Sequence, residues 1–324
     1  MRSGPIVSSS SIRSTHRTRM WRLQRSAASR RAIAGFDTRL GPRLAMLQTL
    51  LPRRRGKAVA GIAWGLVVGL CLMSLLAPLI APYDPIDATA PDTLLPLFSP
   101  GHLLGSDIFG RDQLSRILWG GRPLIATSLA AVALALAIGF PIGLAAGYSG
   151  GFVGAGLMRL MDAMLSFPLI LLAMMLVAAL GPGLVNLIVA IAVSQVPVFA
   201  RLGRALTARE AAREYVLAAR AAGFSPSHIA LLEIAPNVLG PVVVQATSVI
   251  AVTAGYAAAL SYLGLGIQPP EPDWGYMVKE AQEILMIAPS QAIVPGLLIT
   301  GFVTACNFVG DDLRDILTPQ EDVS

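Results

Sequence analysis

Apolar runs of about 20 residues, the length at which an α-helix crosses the hydrocarbon core of a bilayer, recur along the chain. They lie near 58–80, 123–147, 161–180, 184–202, 241–263 and 290–310. Between the fourth and fifth runs the pattern changes. From Ala205 to Ala222 the residues are mostly Ala, Leu, Arg and Glu, which are strong helix formers. Gly223 can take the positive φ that ends a helix, Ser225 supplies an N-cap oxygen, and Pro226 suits a first helical position. A second short helix is expected to start there and to stop near Ala235, before Pro236. The pattern therefore predicts an all-α membrane protein with six transmembrane helices, interrupted over about 203–240 by a stiff helix–turn–helix knob.

Composition supports the membrane reading and charge orients it. Hydrophobic residues make up 54% of the chain and charged residues 14%, and the mean hydropathy is +0.65. A soluble core does not need this balance. The first 57 residues hold 14 Lys or Arg against one acid, Asp37, and have little apolar periodicity. They are expected to be a disordered cytoplasmic tail that sets topology, followed by a membrane domain over 58–324. Arg201, Arg204, Arg209, Arg213 and Arg220 place the 203–240 loop on the same side. The segments near 81–122 and 264–289 carry nine of the 19 acids and should face outward. Both termini are then cytoplasmic.

Several chemistries are not indicated. Cys71 and Cys306 both fall in apolar runs, and His16, His102 and His228 show no ligand spacing, so no metal site is expected. The chain lacks a G-x-x-x-x-G-K-[ST] phosphate loop and is not expected to hydrolyse ATP itself. Gly147-Tyr148-Ser149-Gly150-Gly151 fits the G-x-S-x-G pattern of a serine hydrolase. A serine nucleophile needs an adjacent base, and the one histidine after Ser149 is His228 in the polar loop. The competing reading is structural: Gly139, Gly143 and Gly147 form a stripe of small residues against which a second helix can pack closely.

The stretch Glu214-Tyr215-Val216-Leu217-Ala218-Ala219-Arg220-Ala221-Ala222-Gly223 resembles the E-A-A-x-x-x-G signature of bacterial ABC importer permeases. The flanking segments resemble the C-type permease subunit of the dipeptide, oligopeptide and nickel importer family. These are Leu104 to Asp107 with Gly110-Arg111-Asp112 and Ser115-Arg116, Leu263 to Pro270 with Trp274-Gly275, and Gly310-Asp311 with Leu313-Arg314-Asp315. The resemblance implies a type I ABC importer permease fold in the bacterial inner membrane, with a cytoplasmic coupling helix that docks on an ATPase. It implies as partners a second, B-type permease, one or two ATPase subunits carrying ATP and magnesium, and an extracytoplasmic binding protein; no cofactor is held by this chain and no nucleic acid is bound.

On this resemblance Ala218 and Ala219 allow close packing against the ATPase, and Gly223 sets the angle between the two short helices. Tyr215 and Arg220 supply polar contacts at the rim, while Ser225, Pro226 and Pro236 bound the second helix. The family's leading glutamate is Leu217 here, and the leucine before its closing proline is Ala235. Gln195 and Gln245 are the expected translocation-path residues among the polar groups within spans. The implied cargo is a dipeptide or oligopeptide. The alternatives are nickel or glutathione import by the same architecture, an intramembrane hydrolase using Ser149, and a membrane scaffold without transport.

Overall fold

The computed structural model of the protein describes residues 53–317. Residues 1–52 of the basic tail and the last seven residues lie outside the described residues. Helix α1 covers Arg53–Leu75, α2 Gln113–Ser149, α3 Gly151–Leu165, α4 Leu169–Leu180 and α5 Leu184–Glu210. They are followed by α6 Glu214–Ala221, α7 Ala235–Tyr262, α8 Trp274–Gln282 and α9 Ser290–Leu317. Among the described residues, five helical stretches are long and apolar enough to span a membrane: 58–75, 113–149, 184–210, 226–262 and 290–316.

The third expected span is not a straight helix. Its apolar residues are divided between α3 and α4, which meet at an angle of 88° across a break at Ser166–Pro168. Pro168 disfavours helical φ/ψ at Phe167 and cannot donate to the preceding turn, so the apolar run changes direction there. The pair counts as a sixth span only if the bent unit is taken as one.

The glycine stripe lets two long helices pack backbone to backbone. A Cβ on Gly139 would lie 2.5 Å from the carbonyl oxygen of Val196, one on Gly143 would collide with that of Ala200, and one on Gly147 would lie 2.7 Å from that of Arg204. Both residue series increase together, so α2 and α5 run parallel with their backbones in contact along two turns. Helix α7 runs the opposite way: Val238 near its start packs with Leu144 near the end of α2, while Ala258 and Ser261 near its end abut Gly275 of α8. The start of α9 lies beside the start of α2, through Gln291 and the carbonyl of Ser106. The bundle thus has two distinct ends, one bearing α6 and the other bearing the 81–112 segment and α8.

Trp274 locks that second end. It is fully buried, and its indole Nε1 donates to the carbonyl of Ile117 at 2.8 Å. The ring crosses Gly120 and Gly121, where a Cβ would come within 2.9 and 2.6 Å of indole carbons. Asp273 caps α8 through the amide of Tyr276 at 3.0 Å. Burial pushes its carboxyl up to about 6, against the amides of Tyr276 and Gly275 and the hydroxyl of Ser261, which favour the ionised form.

Candidate functional site

The knob between α5 and α7 is built by a short amphipathic helix folded back on the bundle. Helix α5 does not continue to Gly223 as its composition suggests; it stops at Glu210, the chain turns, and α6 starts at Glu214. Inside the knob, Val216 and Ala219 of α6 pack with Ile229, Ile234, Ala235 and Val238, and against Leu144 at the end of α2. Residues 216 and 219 sit one turn apart on one face of α6, so the opposite face, centred on Leu217 and Ala221, is left outward. Leu217 is 53% exposed, Ala218 and Ala221 are exposed, and Phe224 beyond the turn is 50% exposed. An outward apolar stripe on a buried-backed helix is the geometry of a docking surface.

Gly223 ends α6 in the left-handed region, φ +83°. The amide of Phe224 bonds to the carbonyl of Ala219 at 3.2 Å and that of Gly223 to Arg220 at 3.1 Å, satisfying the last carbonyls of α6. The Ser225 hydroxyl then caps the next helix by accepting from the His228 amide at 3.3 Å, with Pro226 at its first position. This second helix does not stop before Pro236. It passes through a π-helical turn, Ile229–Ile234, and continues into α7. The wider turn shifts the bonding register where Pro236 lacks an N–H, so the proline is accommodated rather than breaking the helix.

Two of the expected partner contacts face the chain itself. The Tyr215 hydroxyl donates to the Glu210 carboxylate at 3.0 Å and accepts from the Asn237 amide at 3.2 Å. Partial burial, and then its bond to Glu210, raise the Tyr215 hydroxyl above the ordinary tyrosine value. Ala219 is buried in the knob, because the side chains at 216 and 219 form the inward face. Arg220 is exposed but lies over the Tyr148 ring, 5.0 Å from its centroid, binding α6 to the end of α2. Of the alanine pair, Ala218 alone is open to a partner.

The remaining candidates are scattered. Gln195 is 2% exposed, inside the packing of α5 with its neighbours, and is not on the surface of the chain. Gln245 is half-buried on α7. Ser149 is exposed at the last position of α2, and His228 instead stacks on Phe224 at 4.8 Å, so the two hydrolase components are not brought together. Among the described residues no cluster of three or more potential metal ligands occurs.

At the opposite end lies a buried ionic cluster whose residues the sequence motifs contain but whose pairing they do not reveal. Arg111 Nε bonds Asp107 at 2.6 Å, and Arg116 bonds Glu280 of α8 at 3.0 Å, while the second Arg111 nitrogen reaches Glu280 at 3.3 Å. Asp112 caps α2 through the Ser115 amide at 2.7 Å and holds His102 Nδ1 at 2.9 Å. Together these contacts fasten the 81–112 segment to α2 and α8.

Comparison with known proteins decides the family. Residues 139–322 match the family described as binding-protein-dependent transport system inner membrane component. The chain belongs to that family. This inner membrane component is 41% identical over 268 residues to the di/tripeptide transport system permease protein DppC of Pseudomonas aeruginosa strain UCBPP-PA14, covering 81% of this chain and 88% of the relative. It is 42% identical over 268 residues to the glutathione transport system permease protein GsiD of Salmonella paratyphi A, covering 83% and 88% respectively. Its fold is similar to that of a chain in the inward-facing MetNI methionine ABC transporter, with a TM-score of 0.52 and 21% identity, over 63% of this chain and 96% of that one. The fold is therefore that of an ABC importer permease, and the chain is a multi-pass membrane protein.

Proposed function

We propose that this chain is the permease subunit of an ATP-driven importer of dipeptides or oligopeptides. The observation that carries the proposal is the outward apolar stripe of α6 on a chain of this family that has no phosphate-binding loop. Peptide cargo is supported by the names of the relatives, one of which is a di/tripeptide permease. Glutathione, itself a small peptide, is the second reading, favoured by the 42% identical relative named for it.

In this proposal the α6 end faces the cytoplasm, supported by the arginines at 201, 204, 209, 213 and 220, and both chain termini lie on that side. A partner ATPase, which holds the ATP and magnesium, seats Leu217, Ala218, Ala221 and Phe224 in an apolar groove. Because Val216 and Ala219 fasten α6 to α2 and α7, displacement of the groove moves those helices and not the loop alone. A second permease completes the path, with half-buried Gln245 as the polar group of this chain placed to line it, and a binding protein delivers cargo to the opposite face.

The test is uptake of a radiolabelled dipeptide into proteoliposomes containing the assembled transporter. ATP-dependent accumulation that excess unlabelled dipeptide abolishes, and that excess glutathione leaves largely intact, is the expected result. Glutathione accumulation with indifference to dipeptides would select the second reading, and accumulation of neither would overturn the transport proposal.

A further inference from the structure

Apolar packing holds α6 against the bundle, but it is non-directional and leaves the helix free to slide. Hydrogen bonds are directional. Among the described residues, the side-chain hydrogen bonds that join α6 to its neighbours converge on Tyr215, in its first turn. The Tyr215 hydroxyl donates at 3.0 Å to Oε1 of Glu210, the last residue of α5, and accepts at 3.2 Å from Nδ2 of Asn237, in the first turn of α7. Three helices thus meet at one oxygen.

The hydroxyl has one proton and two acceptors within reach, the Glu210 carboxylate at 3.0 Å and the Glu233 carbonyl at 3.4 Å. Glu233 lies in the π-helical turn that leads into α7, and its carbonyl also accepts from Asn237 Nδ2 at 2.7 Å. Turning the hydroxyl exchanges a bond to the end of α5 for a bond to the approach of α7. Coupling between distant sites is carried by elements with two discrete arrangements of this kind, and π-helical turns are frequent at functional sites.

Glu210 is the costly member of the group. It is 6% exposed, and its cationic partner, Arg213, lies 3.4 Å away with a side chain that is 66% exposed. A buried carboxylate is expensive, and an apolar side chain in its place is often no less stable. What the carboxylate supplies is a fixed acceptor for Tyr215, and with it a fixed position of α6 relative to α5.

We infer that Glu210, Tyr215 and Asn237 form the joint that makes α5 and α7 follow α6 when the ATPase displaces it. They are positioning residues. The inference rests on the proposed importer function and adds to it the residues through which the movement passes.

The experiment uses the complete transporter, with Tyr215→Phe, Glu210→Leu and Glu210→Gln compared with wild type. Tyr215→Phe keeps the ring and loses the hydroxyl, while Glu210→Gln keeps an oxygen acceptor. Amide hydrogen exchange over 214–222 and 235–242 is followed in nanodiscs on addition of a non-hydrolysable ATP analogue with magnesium. Both segments should respond in the wild type, and 214–222 alone in Tyr215→Phe and Glu210→Leu. In proteoliposomes those two variants should take up about three- to tenfold less dipeptide per ATP hydrolysed, with ATPase recovery unchanged, and Glu210→Gln less than about twofold less. The Tyr215→Phe, Glu210→Leu double variant should be no worse than either alone, since both remove the same bond.

Wild-type uptake per ATP in Tyr215→Phe, or a response of 235–242 as large as that of the wild type, would overturn the joint and leave the importer reading intact; this variant decides the matter even if Glu210→Leu does not assemble. Equal losses in Glu210→Gln and Glu210→Leu would overturn it by assigning the effect to the buried charge, and additive losses in the double variant by separating the two residues. Loss of the ATPase from Tyr215→Phe would assign the hydroxyl to the ATPase contact instead. Absence of ATP-dependent uptake in the wild type would overturn the importer reading, whereas the joint is judged by the exchange response and its dependence on Tyr215.

Discussion

Arg220 lies over the ring of Tyr148, 5.0 Å from its centroid, and so joins the flank of α6 to the last turn of α2. Val216 and Ala219 bury the adjoining face of the same helix against Leu144. Helix α6 is thereby coupled to a long membrane helix whose backbone, through Gly139 to Gly147, is in contact with α5. The proposed function has a displacement of α6 pass along this close-packed backbone to α2 and α5.

Tyr148→Ala removes the ring beneath Arg220 and should loosen this joint. Cation–π pairs contribute about 0.5–1 kcal/mol at exposed sites, so local opening of 214–222 should increase roughly two- to fivefold. Amide hydrogen exchange over that segment is the check. Uptake per ATP hydrolysed should fall, while the chain remains assembled.

Gly223→Val should be more harmful than Gly223→Asn. A Cβ at this position meets nothing within 4 Å, so the penalty comes from the backbone at φ +83° and not from crowding. Left-handed conformation costs an ordinary residue about 1–2 kcal/mol, whereas Asn tolerates it. Uptake should fall about tenfold in the Val variant and little in the Asn variant, with both present in the membrane at wild-type levels.

Glu280→Ala removes the α8 carboxylate that Arg116 and Arg111 share at 3.0 and 3.3 Å and leaves them with Asp107, at 3.4 and 2.6 Å. Removing one partner of a buried ion pair costs on the order of 3–5 kcal/mol when the other is left unpaired, and less where a second carboxylate remains. Thermal unfolding in detergent should therefore begin well below the wild-type temperature. Loss of order should be detected first in the 81–112 segment, and an unshifted transition would mean that the cluster does not fasten that segment.

Asp273 gives a pH dependence with a definite sign. Its folded value of about 6 lies above the ordinary 3.8, so the stabilisation from its proton is complete below the unfolded value and is lost as pH rises through about 6. Asp273→Asn keeps an acceptor for the α8 cap and never ionises. The variant should gain on the wild type as pH rises from about 3 to about 7, by up to about 3 kcal/mol from the size of the shift. A stability difference that stays constant across that interval would contradict the assignment.

The apolar runs, the glycine stripe, the Gly223 stop and the Ser225 cap were legible because each depends on residues close together in sequence. The bend at Ser166–Pro168 was legible in principle from Pro168, but a hydropathy count over 161–180 does not register a change of direction. The facing of α6 was harder. Tyr215 and Ala219 looked outward as motif members, and only the positions of Leu144, Glu210 and Asn237 show that they turn in. The pairing of Arg116 with Glu280, and the seat of Trp274 on Gly120 and Gly121, join residues more than 150 positions apart. No local periodicity encodes such contacts. Gln195 illustrates the same limit, since a polar residue in an apolar run gives no sign of whether it faces the path or the interior.

In the proposed function the outward stripe of α6 receives the ATPase. The most direct test is purification of the tagged chain from membranes in mild detergent, comparing wild type with a Leu217→Asp, Phe224→Ser double variant and quantifying the subunits recovered. Both side chains are half or more exposed, so the chain should fold and retain the second permease. Wild-type recovery of that permease and at least a tenfold loss of the ATPase are expected. Undiminished ATPase recovery with the double variant would contradict the proposal.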